Sequence, residues 1–178
     1  MERVIVKWKN INRNFFYVKP EIINSIELDS ILSHTYFSGG GEFPGFENLS
    51  LTYNELKKQW NNRSWREHLS SVYGVYLITD LKNSKLYVGA AYGEEGVYGR
   101  WSAYLRDGYD KAEKDYPNKK LKALVEEKGF KYIQENFKYT LLEIFKKDEN
   151  GKDKALKREL YWKKVFFKDL MYGYNDNW

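Results

Sequence analysis

The strongest constraint in this chain is a pair of β-branched and aromatic runs joined by one short turn. Val72-Tyr73-Gly74-Val75-Tyr76-Leu77-Ile78-Thr79 fits a strand, and so does Lys85-Leu86-Tyr87-Val88-Gly89-Ala90. Asp80-Leu81-Lys82-Asn83-Ser84 between them is turn chemistry. So short a connection cannot make a crossover, so the two runs form an antiparallel hairpin.

The elements around the hairpin complete a mixed α/β (α+β) pattern. Gly93, Gly96 and Gly99 punctuate a loop, and a helix follows over about residues 98–106, with Val97, Trp101, Tyr104 and Leu105 at helical spacing. A second helix is expected near residues 118–128 and a third strand over 137–145. Asp148-Glu149-Asn150-Gly151 reads as a turn, residues 153–167 as the clearest helix, and residues 172–178 as a non-helical tail. Residues 1–70 read as a smaller, irregular module. Strands are expected at 4–8 and 15–18, and a helix over 21–34. A capping box, Thr52-x-x-Glu55, opens a helix to about Asn61, and Ser64-x-x-Glu67 repeats that signal up to Leu69. Two parts are therefore expected: an N-terminal module, 1–70, and a more regular domain, 71–178.

Composition narrows the chemistry. The absence of Cys removes disulfides, zinc thiolate sites and thiol catalysis. With His34 and His68 the only histidines, a His-rich metal site or a Ser-His-Asp triad has little to build on. The 16 Tyr and 6 Trp suit cores, interfaces and base-stacking surfaces alike. The net charge of +5 is unevenly spread. Residues 21–56 hold six acids and no Lys or Arg, whereas residues 146–168 hold nine basic residues against four acidic ones. An anionic partner would meet the C-terminal part first, unless that charge is only a solvated helix face. No signal peptide and no run of about 20 apolar residues is visible, so a soluble, cytoplasmic protein with no membrane association is expected.

Five residues then draw attention. Glu159 falls on the apolar side of the last helix with Ala155, Leu156, Leu160, Trp162, Phe166 and Phe167. An inward carboxylate needs a partner or a metal, and Lys163, one turn on, is the obvious partner. Arg100 lies just inside the helix after the glycine loop and suits a phosphate, although a surface arginine is the commoner case for such a residue alone. Tyr104, one turn later, shares its face. Tyr76 and Tyr87 lie on the hairpin strands; a tyrosine acts as a base only where positive charge favours the phenolate.

Gly74-Val75-Tyr76, ten residues, then Tyr87-Val88-Gly89 resembles the paired motif of the GIY-YIG nuclease family. Arg100, Glu159 and Asn175 follow in that family's order and approximate spacing, and residues 87–101 look especially like a bacterial branch. The resemblance covers about residues 71–178. It implies a GIY-YIG nuclease fold: a three-stranded antiparallel sheet flanked by helices, here with a small N-terminal extension. It implies an endonuclease that cleaves DNA, double-stranded or branched, with one divalent cation, Mg²⁺ or Mn²⁺. Carried over by residue, Glu159 binds the metal, Arg100 holds the scissile phosphate, Tyr76 and Tyr87 flank the attacking water, and Asn175 orients the site. Tyr104 matches a position held by His or Tyr in members. One departure is plain. Many relatives carry Lys or Ser directly after the second motif, where this chain has Ala90 and Ala91; Lys119, Lys120 and Lys122 are the basic residues considered in its place.

Residues 1–70 can supply either DNA contacts, through Lys7, Trp8, Lys9 and Arg13, or a small core of Trp8, Phe15 and Phe16; the core reading is preferred. A non-catalytic nucleic-acid-binding module and a protein-interaction domain are the competing functional readings.

Overall fold

A computed structural model describes residues 3–7, 27–32, 42–105, 118–167 and 173–175. The chain divides into two compact units, Met1–Glu42 and Phe43–Trp178. In the first, β1 (Arg3–Lys7) pairs antiparallel with β2 (Glu27–Leu32), with a bulge between Ile5 and Val6. Strand β2 falls within the stretch expected to be a helix. The run Val4-Ile5-Val6 offers a β-branched partner, and pairing with it outweighs the local helical signal. The expected strand at 15–18, and Trp8, Lys9, Arg13, Phe15 and Phe16, lie outside the described residues.

The second unit is built on a sheet of four antiparallel strands. These are β3 (Ser50–Thr52), β4 (Val72–Asp80), β5 (Leu86–Ala91) and β6 (Phe137–Lys146), in the spatial order β3-β6-β4-β5. The expected three strands are adjacent, with β4 between β6 and β5, and β3 adds a second edge by pairing with Lys138–Thr140 of β6. Each helix start has a visible cause. In α1 (Tyr53–Gln59) Thr52 and Glu55 form the expected reciprocal capping box. In α2 (Arg63–Ser70) the cap is Asn62, whose side chain accepts from Ser64 N at 2.9 Å, and not Ser64 as the spacing had suggested. The next helices are α3 (Gly96–Leu105), α4 (Lys119–Lys128), capped by Asn118, and α5 (Phe130–Asn136). In α6 (Glu149–Phe166) Asp148 accepts from Gly151 N at 2.7 Å, so the presumed turn at 148–151 is the helix's cap and first turn.

Alternation along the strands gives the sheet two cores. Tyr76, Ile78, Tyr87, Tyr139 and Leu141 join the larger, with Leu56 and Leu69 from α1 and α2, Trp101 from α3, Leu121 from α4 and Ile133 from α5. Val75 and Val88 point the other way, beside Trp162, Phe166 and Phe167 at the end of α6. A bulge leaves Leu142 without a partner in β4, so Glu143 instead of Leu142 stands opposite Val75. The Glu143 carboxylate then accepts from Arg158 Nε at 2.8 Å and Trp162 Nε1 at 2.8 Å, tying α6 to β6.

Residues 43–70, expected with the N-terminal module, pack into the second unit. Leu49, Tyr53, Leu56, Trp60, Trp65 and Leu69 are all buried in its core. The segment also fixes α3. Trp60 stacks on Tyr98 at 4.7 Å and donates to Ser102 Oγ at 3.0 Å. Tyr53 OH and Lys57 Nζ donate to Leu105 O at the C-terminal end of α3, where a cation is favoured by the helix dipole.

Gly96 governs how α3 begins. Its φ is +52°, and a Cβ there would lie 2.2 Å from Val72 O. Gly96→Ala is expected to lower unfolding stability by about 2 kcal/mol or more, seen as a lower denaturant midpoint. The Glu143 cluster predicts a pH effect. The Arg158 hydrogen bond, ahead of the opposing burial, holds Glu143 below the usual carboxylate range. A depressed folded-state pKa contributes stability above the unfolded value of about 4.3 and loses it as pH falls through the lower folded value. Acid titration followed by circular dichroism should show a shallower acid loss of stability in Arg158→Ala than in the wild type.

Candidate active site

Register across the hairpin places Tyr76 of β4 opposite Gly89 of β5. A Cβ at Gly89 would lie 2.4 Å from the Tyr76 hydroxyl oxygen, so glycine is what lets this ring lean across the neighbouring strand. Its ring centre lies 6.2 Å from that of Tyr87 and 6.1 Å from that of Tyr104 on α3; Tyr87 and Tyr104 are 6.4 Å apart. The Tyr76 and Tyr104 hydroxyls are hydrogen-bonded at 3.1 Å, and Trp101 meets Tyr76 edge-on from behind. Three tyrosines from three elements thus form one buried triangle.

Arg100, one turn before Tyr104, is half-buried beside it. Burial works against its charge, but the electrostatic influence of Tyr76, Tyr104, Tyr87 and Tyr92 favours it and the net effect is a raised pKa. Among the described residues no carboxylate forms an ion pair with it. A partly desolvated cation with no carboxylate paired to it among the described residues has the chemistry to accept an anion.

The tyrosines respond in the opposite sense. Burial pushes Tyr76 and Tyr104 well above the ordinary phenol range. Burial also raises Tyr87, helped by Glu159 and opposed by a hydrogen bond to Tyr104 and by Arg100. All three are neutral phenols at neutral pH in this state, so a tyrosine base would need further positive charge nearby.

Glu159 lies on the packed side of α6, as its spacing suggested, with Ala155 and Lys163 buried on either side of it. Leu160, expected on that side, is 42% exposed. One Glu159 oxygen lies 3.1 Å from Lys163 Nζ, the i,i+4 pairing that the sequence offered as the alternative to a metal. The Glu159 side chain keeps 17% exposure and its second oxygen has no hydrogen-bond partner among the described residues. Among the described residues no group of three His, Cys, Asp or Glu could hold a metal ion. The donor set therefore fits a hard cation with one protein carboxylate, completed by water and a substrate anion, and does not form a cage that binds metal unaided.

Asn175 is buried, and both ends of its amide are hydrogen-bonded. Oδ1 accepts from Val88 N at 2.9 Å and Nδ2 donates to Val88 O at 2.7 Å. Tyr174 N donates to Leu86 O at 2.8 Å, so the C-terminal tail pairs along the outer edge of β5. Asn175 thereby fixes the backbone between Tyr87 and Gly89. Of the lysines considered near the site, Lys120 braces this tail, donating to Asn175 O at 2.7 Å.

Sequence reasoning missed the anchor of the tail. Asp80, taken for a turn residue, is the last inward position of β4 and fully buried. It accepts from Tyr174 OH at 2.7 Å, Tyr132 OH at 2.9 Å and Lys82 N at 3.0 Å. Burial and the Asp80 hydrogen bond push Tyr132 up to about 12. The alternation Gly74, Tyr76, Ile78, Asp80 would have pointed inward had the strand been extended by one residue.

Asn175→Ala leaves Val88 N and O without partners at a buried edge. Each such loss costs about 1–3 kcal/mol. The variant should melt earlier, and hydrogen exchange at the Val88 amide should quicken more than at Val75 in the sheet interior.

Residues 72–175 match the GIY-YIG catalytic domain family. No curated protein and no solved structure matches the chain. The matched segment covers more than half of the sequence and encloses the tyrosine triangle, Arg100, Glu159 and Asn175. It includes both hairpin strands, and its last residue is the asparagine that closes the tail onto β5. The chain belongs to the GIY-YIG catalytic domain family, a family of endonucleases.

Proposed function

We propose that this protein is a divalent-metal-dependent endonuclease that hydrolyses DNA phosphodiester bonds by a one-metal mechanism. The observation that carries the proposal is Arg100: a half-buried cation one helical turn from Tyr104 of the tyrosine triangle, with no carboxylate paired to it among the described residues. A phosphate is the anion that suits a guanidinium fork in such a setting.

In this reading Arg100 grips the scissile phosphate and takes up the charge that develops on it. Glu159 would hold one cation, Mg²⁺ or Mn²⁺, which supplies Lewis acidity, an acidified water and charge balance on the phosphate. The tyrosine triangle fixes the attacking water by hydrogen bonds from a dry floor. Of the three, Tyr87 feels both Glu159 and Arg100; a cation held at Glu159 would favour its phenolate, the form that can take the water's proton. Tyr76 and Tyr104 hold Tyr87 in place, and Asn175 holds the strand that carries it. The substrate is double-stranded or branched DNA. A second reading, a nucleic-acid-binding module without cleavage, is favoured by one observation: the Glu159 carboxylate is already ion-paired.

A plasmid-nicking assay with Mg²⁺ or Mn²⁺ separates the two. Wild type should nick, and Arg100→Ala and Glu159→Ala should each lose about 10²- to 10³-fold in single-turnover rate while still binding DNA. Salt-sensitive binding with no cleavage of single-stranded, duplex or branched DNA under any divalent metal would sink the enzyme reading.

A further inference from the structure

Lys163 is the charged residue that the proposed chemistry leaves unused. Its side chain is 6% exposed, and Glu159, 3.1 Å away, is its ion-pair partner among the described residues. A lysine is seldom buried so deeply unless paired. The pair is therefore mutual: neither charge is tolerable in this place without the other or a substitute for it.

The substitute for Lys163 would be a divalent cation on the same carboxylate. We infer that Lys163 is a placeholder cation: it neutralises and orients Glu159 in the metal-free protein, weakens metal binding there, and makes firm binding wait for the phosphate. The inference rests on Glu159 being the metal-holding residue of the proposed nuclease.

The reasoning is electrostatic. A divalent ion arriving at Glu159 meets an ammonium already sharing that carboxylate, and like charges repel strongly where water is scarce. Among the described residues Glu159 is the carboxylate paired with Lys163, and Tyr87 feels both Glu159 and the further positive charge of Arg100. Cations crowd this place until an anion enters. A DNA phosphate lowers that excess, so metal and DNA should each tighten the binding of the other. Lys163 acts through Glu159 and is a positioning residue. It does not replace the lysine that many relatives carry after the second motif.

The test is Mn²⁺ binding without DNA, read from the loss of the free-ion signal in electron paramagnetic resonance, together with melting temperature. Lys163→Met should bind Mn²⁺ about tenfold or more tightly than wild type. It should melt earlier without metal and gain more from Mn²⁺. Lys163→Arg, which keeps the charge, should bind like wild type. Should Lys163→Met not fold, Lys163→Gln carries the same expectation, since it keeps a donor and drops the charge. In wild type a short duplex should tighten Mn²⁺ binding, and in Lys163→Met that gain should shrink. Equal or weaker Mn²⁺ binding by the uncharged variants, with Glu159→Gln binding none, overturns this inference and leaves the nuclease reading standing. If Glu159→Gln binds Mn²⁺ as wild type does, Glu159 is not the metal residue and both fall.

Discussion

The close approach of the Tyr76 ring to Gly89 is the contact on which the rest of the site depends. It exists because the hairpin register pairs those two residues and because Gly89 has no Cβ to obstruct the hydroxyl. From that position Tyr76 meets Tyr87 on the next strand and Tyr104 on α3, and Trp101 backs it. Anything that moves β5 against β4 would move the Tyr76 and Tyr87 hydroxyls relative to each other. The structure guards that register from outside: Asn175 clamps Val88, Tyr174 continues the pairing, and Asp80 holds Tyr174. Much of the polar chemistry of the second unit thus serves to hold one edge strand still.

The two charged residues at the heart of the site are treated in opposite ways. Arg100 has tyrosines about it and no carboxylate paired to it among the described residues, whereas Glu159 has a buried lysine against it. The first arrangement leaves a cation able to accept an anion. The second keeps a carboxylate compensated by a buried cation. A contrasting case is Glu143, bound by Arg158 and Trp162 on the other face of the sheet, where ionic and neutral donors saturate the carboxylate. That cluster joins a helix to a strand and has no oxygen to spare for chemistry.

What could be seen in the sequence follows from the range of the forces involved. The hairpin, the third strand, the Thr52–Glu55 capping box and the long last helix are written in local periodicity and turn chemistry, and the structure contains them. Glu159 was legible as an inward carboxylate because its helical spacing places it among apolar residues. The misassigned stretch at 27–32 depends on a strand more than twenty residues away, which no local window contains. The edge strand Ser50–Thr52 is too short to announce itself and exists because β6 offers a free side. The burial of Lys163 and the Asp80 cluster are tertiary facts: spacing could suggest an ion pair for Lys163, but not that water is excluded from it. The tyrosine roles came through likeness to a family, since a tyrosine in a strand is ordinarily just a packed ring.

The account stands on Arg100 and Glu159 acting together at one phosphate. Anomalous diffraction from crystals of the wild-type protein grown with Mn²⁺ and a short DNA duplex tests that directly. The account predicts a manganese peak within coordination distance of the Glu159 carboxylate, with a backbone phosphate on the Arg100 guanidinium and shared with that ion. DNA lying elsewhere, with Arg100 free and no manganese at Glu159, would contradict it.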